Sequence, residues 1–138
     1  MLLVQTKLGI SSIHGIGLFA AQFIPKGTVT WEYSPYFDTS YEEADIERMS
    51  PSAKEQFLKY AYFDKLLCRY VLCFDDQRFI NHFSESPNIL SSLRRDVAAR
   101  DIYEGEELVC DYKCIYDDTY FIRMGFQPIT VTSSKLIE

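Results

Sequence analysis

Turn-forming residues cut this chain into short apolar runs, and that spacing constrains the fold more than any other feature. Residues 4–7 read as a first strand, and the segment from Ser11 to Gly17 is a glycine-containing turn leading into Leu18-Phe19-Ala20. Pro25-Lys26-Gly27 is a second turn, followed by the β-branched and aromatic run 28–33. Only the middle changes period: residues 40–49 and 52–62 carry the pattern of two short helices, with Ser40 plus Glu43, and Ser50 before Pro51, as start signals. Residues 69–74, 93–99 and 107–112 return to strand, with a turn at 103–106 between the last two. Residues 117–124 suggest a final helix stopped at Gly125, and 130–138 a loosely held tail. Many short strands around one helical insert make a mostly-β domain.

Size and charge narrow the function classes. At 138 residues the chain has the length of one domain, able to bury roughly two-thirds of its unfolded surface. A composition 47% hydrophobic and 25% charged is that of a folded protein. Fourteen basic against twenty acidic residues, a net charge of −6, lack the footprint of a nucleic-acid binder. Such a field attracts cationic partners such as a lysine-rich peptide, although excess acid also serves solubility alone. No stretch reads as a membrane span or a signal peptide, so the expectation is a soluble, cytoplasmic protein. Cys68, Cys73, Cys110 and Cys114 form no C-x-x-C pair and read as buried structural thiols, without zinc or disulfide.

Three segments carry candidate chemistry. In His14-Gly15-Ile16-Gly17 two glycines let a ligand approach the backbone closely, though a tight turn needs the same residues. The run from Arg78 through Asn81 and His82 to Pro87-Asn88 gathers several fixed hydrogen-bonding groups, or is simply a structural loop. In Gly105-Glu106-Glu107-Leu108-Val109-Cys110-Asp111-Tyr112, alternation puts Leu108, Cys110 and Tyr112 on one face and leaves Asp111 and both glutamates facing water.

Taken together and in this order, these segments resemble the SET-domain protein lysine methyltransferases. That family shows G-x-G near its start, then R-F-I-N-H-S-C-x-P-N, then G-E-E-L-x-x-D-Y. This chain has Gly15 and Gly17, Arg78 through His82 with Pro87 and Asn88, and Gly105 through Leu108 with Asp111 and Tyr112. Ile24-Pro25-Lys26-Gly27 and Ala99-Arg100-Asp101-Ile102 also match family positions, so the likeness spans about residues 4–113. It implies one β-clip-like SET domain over 1–138: strands in 4–40, a helical insert at 41–67, a core at 68–113 with a knot-like crossing, and a C-terminal helix within 114–138.

The resemblance further implies S-adenosylmethionine as cofactor, no metal, and a lysine-bearing protein or peptide as substrate, histone tails among the candidates. The cofactor would be held by His14, Gly15, Ile16, Gly17, Arg78, Asn81, His82 and Tyr112, with Phe121 or Phe126 stacking on the adenine. Tyr112 matches the catalytic tyrosine; Tyr33, Tyr70, Cys110 and Tyr116 would line the lysine channel. Cys110 stands where the family usually has Phe or Tyr, and a smaller side chain leaves room for di- or trimethylation. The acidic insert residues Glu42, Glu43, Asp45 and Glu47 could meet a basic peptide or form a solvated helix face. A domain this small could also complete its site by pairing into a homodimer. Two departures stand out: Asn81-His82-Phe83-Ser84-Glu85-Ser86-Pro87-Asn88 is one residue longer than the family motif and lacks its cysteine, and only Cys114 follows Tyr112. The alternatives are a non-catalytic SET-fold module that binds peptide or cofactor, and a methyltransferase acting on a small amine or another side chain.

Overall fold

The computed structural model describes residues 1–114; the expected C-terminal helix, and with it Tyr116, Phe121 and Phe126, lies outside the described residues. Among the described residues ten short strands and two α-helices follow in order, with short 3-10 turns at Asp76–Phe79 and Tyr112–Cys114: β1 Thr6–Ile10, β2 Ile16–Ala20, β3 Val29–Glu32, β4 Thr39–Tyr41, α1 Glu43–Glu47, α2 Pro51–Tyr60, β5 Tyr62–Asp64, β6 Arg69–Leu72, β7 Asn81–His82, β8 Ile89–Ser91, β9 Arg95–Ala98 and β10 Glu107–Cys110. They form a larger sheet in the order β1-β2-β10-β8-β9-β3, with β7 added on β10, and a smaller sheet β4-β6-β5.

The mostly-β reading holds, with local corrections. The first strand covers Thr6–Ile10 rather than 4–7, because its register with β2 runs from Thr6–Ala20 to Ile10–Ile16. Residues 39–41 are strand, paired with β6, so α1 begins only at Glu43. Its start is not the Ser40–Glu43 pair: the Glu42 N–H donates to Asp45 Oδ2 at 2.9 Å instead. The second helix ends at Tyr60, because Tyr62–Asp64 leaves to pair with β6. Its predicted start is correct: Ser50 Oγ accepts from the Ala53 N–H at 3.2 Å and Pro51 opens the helix. Cys68 is exposed in the turn between β5 and β6, unlike the buried Cys73 and Cys110.

Three apolar clusters hold the sheets. Leu18, Ala20, Ile24, Ile89, Ala98, Ile102, Leu108 and Cys110 form the core of the larger sheet. Trp31, Tyr62, Val71 and Cys73 join the two sheets, and Ile46, Phe57, Ala61 and Tyr70 seat the helices on the smaller one. Ile24 and Ile102 exchange backbone hydrogen bonds of 2.8 Å each way, tying the turn before β3 to the turn before β10.

Two details position the site. Strand β3 slips register between Val29 and Trp31, so Thr30 bulges and Trp31 comes to lie opposite Asp96. Asn88, 2% exposed, acts as a piece of missing strand: its Nδ2 donates to the Glu107 carbonyl at 2.8 Å and its Oδ1 accepts from the Val109 N–H at 2.9 Å. Asn88→Ala strips partners from two backbone groups of β10, each worth about 1–3 kcal/mol when buried unsatisfied. Urea unfolding should show a loss of at least about 2 kcal/mol with an unchanged m-value.

Candidate active site

The parallel pairing of β7 with β10 sets Asn81 beside Val109 and His82 beside Cys110, and the Phe83 N–H donates to the Cys110 carbonyl at 3.0 Å. Beyond the strand, His82 Nδ1 accepts from the Tyr112 N–H at 2.9 Å, so the neutral ring carries its proton on Nε2. The Tyr112 hydroxyl donates back to the Ile80 carbonyl, and the His82 and Tyr112 rings lie 5.1 Å apart. Residues 80–83 and 109–112 are thus fastened along their whole length. Asp111 Oδ1 stands 3.7 Å from His82 Nδ1.

Successive side chains of this extended segment point to opposite sides. On one side the Asn81 amide reaches the glycine loop: Nδ2 shares its two protons among the carbonyls of His14 (3.0 Å) and Ile16 (3.2 Å) and Glu107 Oε1 (3.0 Å). Glu107 Oε2 in turn accepts from Ser11 Oγ at 3.0 Å. The expectation that both glutamates face water is therefore corrected at Glu107. Val109, two residues on along the strand and buried, shows that this face of β10 is covered as well. Glu106 keeps to the surface with Arg100, whose hydrogen bond holds its carboxyl below the ordinary value.

The two glycines of the loop have different reasons. Gly15 has φ +50°, a left-handed turn that an L side chain strains, and open space lies around it. Gly17 is buried, and a Cβ there would lie 2.2 Å from Glu107 Oε1. The loop is thus both a tight turn and an open backbone cradle. His14, Gly15 and Ile16 are exposed at it.

On the other side, Ile80, Cys110 and Tyr112 line a small cavity of about 40 Å³ with Trp31, Tyr60, Tyr62, Cys73, Gln77 and Asp96; exposed Lys59, Arg78 and Ser92 also border it. Cys110 and Tyr112 were expected here; Arg78, expected at the cofactor, borders this cavity with its guanidinium 5.1 Å from the Phe79 ring. Tyr33 and Tyr70 are elsewhere, Tyr33 under the Arg94 guanidinium at 4.9 Å and Tyr70 in the cluster beneath the helices. Sequence reading missed Glu107, Trp31, Tyr62, Gln77 and Asp96. The one available signal was parity, since Asp96 shares its strand face with Ala98 and Glu107 shares its own with Val109.

Burial dominates the electrostatics of the cavity. It pushes the Tyr62 phenol and the Cys73 thiol far up, with neighbouring acidic groups adding to it, so both stay protonated. Asp96 is 2% exposed; burial pushes its carboxyl up to about 6, against the opposing pull of the neighbouring Ser91 hydroxyl and the Gln77 amide. Gln77 Nε2 donates to its Oδ2 at 2.6 Å. Among the described residues no cluster of three or more His, Cys, Asp or Glu could hold a metal, and no helix is long and apolar enough to cross a membrane.

A carboxyl whose pKa rises on folding binds its proton more tightly in the native state, so its contribution to stability falls as pH rises from about 4 to about 6. Asp96→Asn removes that loss. The variant should gain stability over the wild type at pH 8 and lose the advantage at pH 4, as read by urea midpoints across that range.

The family model of the SET domain matches residues 15–113. Among solved structures, an apo ctPRC2 assembly carrying a doubly substituted Ezh2 superposes with TM-score 0.65 and 24% identity over 87% of this chain, which spans 16% of that one. A Plasmodium falciparum protein described as a candidate histone methyltransferase superposes with TM-score 0.55 and 21% identity, over 80% of this chain and 95% of that one. No curated protein matches the sequence. The family match covers most of the chain, and both structures share its curled sheet of short strands. The chain belongs to the SET-domain family.

Proposed function

We propose that the protein is an S-adenosylmethionine-dependent protein-lysine N-methyltransferase. The observation that carries this reading is the back-to-back arrangement across residues 80–82: Asn81 holds an open glycine loop on one side while Ile80 and Tyr112 wall a cavity on the other. A reaction between two ligands entering from opposite faces needs its reacting atoms in line and in direct contact, so the segment dividing the faces must be thin and leave a passage between them.

The residues of the loop face suit a ligand with an amino-acid end. The backbone at Gly15 lies open, and Glu107 places a carboxylate beside Asn81 where an α-ammonium would be complemented. His14 to Gly17, Asn81 and His82 would hold the cofactor, which when bound supplies a methyl group on a cationic sulfur. Methyl transfer from sulfur to nitrogen needs alignment and a neutral amine more than strong acid–base catalysis. Tyr112 supplies alignment: its proton is committed to Ile80, so its oxygen meets the amine as an acceptor. Burial against the aromatic side chains and the cationic sulfur of the bound cofactor favour the uncharged amine over the ordinary lysine pKa near 10.4.

The substrate is a lysine side chain of a basic protein, histone tails included; the histone methyltransferase likeness and the net charge of −6 support this class. Cys110, buried in the wall, leaves more room around the amine than a ring would, and the enzyme carries methylation to the di- or trimethyl product.

Incubation with labelled S-adenosylmethionine, a histone panel and whole-cell lysate should label lysine, and Tyr112→Phe should lower the rate by about 10²-fold, the usual cost of lost alignment. Cofactor binding without label would mean that the right substrate is missing from the panel, and a protein that does not bind the cofactor favours the non-catalytic module acting through protein interaction. Cys110→Tyr should shift the product toward monomethyl-lysine by mass spectrometry; identical product ratios would remove its assigned role.

A further inference from the structure

Among the described residues, four buried side-chain atoms make no hydrogen bond: Trp31 Nε1, Asp38 Oδ1, Ser91 Oγ and Asp96 Oδ1. Three of them stand in one row. Strand register sets Ser91 opposite Asp96 on β8 and β9, and Asp96 opposite Trp31 on β9 and β3. Cross-strand partners share a face, and the bulge at Thr30 is what brings Trp31 into this row. Ser91 lies beside the Asp96 carboxylate without hydrogen-bonding geometry, although it favours the charged form. Trp31 and Asp96 both line the cavity.

Asp96 is the buried charge of that cavity. A buried carboxylate is costly unless paired, and Gln77 satisfies only Oδ2. Around it stand the rings of Trp31, Tyr60, Tyr62 and Tyr112, whose faces attract cations. The other charged groups are Lys59, 5.4 Å from the Tyr60 ring centre, Arg78, and the N-terminal ammonium, which favours the charged form of Asp96 from its place at the Glu32 carbonyl; all three reach solvent, which screens them, while Asp96 acts through a low dielectric. Tyr62 and Cys73 stay uncharged for the reason given above. One buried carboxylate among aromatic rings is the chemistry that receives the head of an alkylammonium ion.

We propose that Asp96 is the specificity-determining residue for the substrate amine: its Oδ1 accepts a hydrogen bond from the incoming ammonium and draws the cationic side chain into the cavity. This rests on the reading of the cavity as the amine channel. The contact belongs to the bound ground state, so Asp96 governs substrate affinity while Tyr112 governs the transfer itself.

Trp31 is the single tryptophan of the chain, so its fluorescence reports on the cavity directly. Without cofactor, n-butylammonium should give a saturable change in the wild type at pH 8, and n-butanol should not. Asp96→Asn, close in volume, should weaken the response at least 10-fold. In the wild type alone, binding should fade as the pH drops through about 6, a readout that stands even if the variant does not fold. Equal responses to the alcohol and the ammonium, or an unchanged Asp96→Asn, would overturn the proposal. In the methyl-transfer assay Asp96→Asn should raise KM about 10-fold and change kcat less than threefold; a fall in kcat at constant KM would also overturn it. The two readings separate cleanly. Ammonium binding in a protein that transfers no methyl group keeps the Asp96 role and removes the enzyme, whereas transfer with an unchanged KM in Asp96→Asn does the reverse.

Discussion

The seam between residues 80–83 and 109–112 is the constraint on which the rest of the site depends. A parallel pair of two residues is too short to be stable by itself. It persists because side chains extend it in both directions: His82 and Tyr112 bond across its far end, and Asn81 and Glu107 bond across its near end. Asn88 holds the other edge of β10 with a donor and an acceptor from one amide. A central strand four residues long thereby acquires partners for its backbone from the Asn88 side chain as well as from neighbouring strands, while Asn81 holds the Glu107 side chain. The same bonds that stabilise the seam place the glycine loop and the cavity on its two sides, so fold and site are one structure here.

Packing explains why the larger sheet can carry so many short strands. Leu18, Leu108, Ile24 and Ile102 are completely or almost completely buried, and the reciprocal Ile24–Ile102 bonds fix two turns against each other before either adjoining strand begins. The smaller sheet serves a different purpose. It joins the larger one through Trp31, Tyr62, Val71 and Cys73, and two of these rings, Trp31 and Tyr62, also line the cavity. A change in how the two sheets meet would reshape that wall, which links the helical insert to the site without direct contact from α1.

Much of this was legible in the sequence where chemistry and local spacing coincide. The turn at residues 25–27, the start of α2 at Ser50 and Pro51, the strand-like 107–110 and the three motif segments all follow from residue type alone. Other features were not, for definable reasons. Strands β7 and β8 are two and three residues long and exist only through partners far along the chain, which no local period can report. Glu107 reads as a surface residue because its burial depends on a loop nearly a hundred positions earlier, met through Ser11 and Asn81. Trp31 owes its direction to a bulge, and a bulge leaves no mark in a pattern of alternating apolar residues. Cys68 shows the opposite failure: a cysteine among apolar residues reads as buried, yet it occupies a positive-φ turn position that the neighbouring strands leave in solvent.

The distribution of charge closes the argument about direction. Glu107 stands beside the glycine loop and bonds to Ser11 and Asn81, so its carboxylate is already held by two donors before any ligand arrives. Asp96 stands on the other side of the seam with one of its oxygens bonded to Gln77 and the other not. Both acids are drawn inward by strands whose faces are otherwise apolar, and both would meet a positive group, an amino-acid end on one side and a side-chain amine on the other. On the proposed reading the cationic sulfur of the cofactor favours loss of the amine's proton and the Asp96 carboxylate opposes it, so Asp96 holds the amine in the ground state and the proton leaves as the amine moves toward the sulfur. On that reading the acidic residues gather the reactants on the two sides of the seam, and transfer takes place where a passage past it brings the methyl carbon and the amine nitrogen into contact.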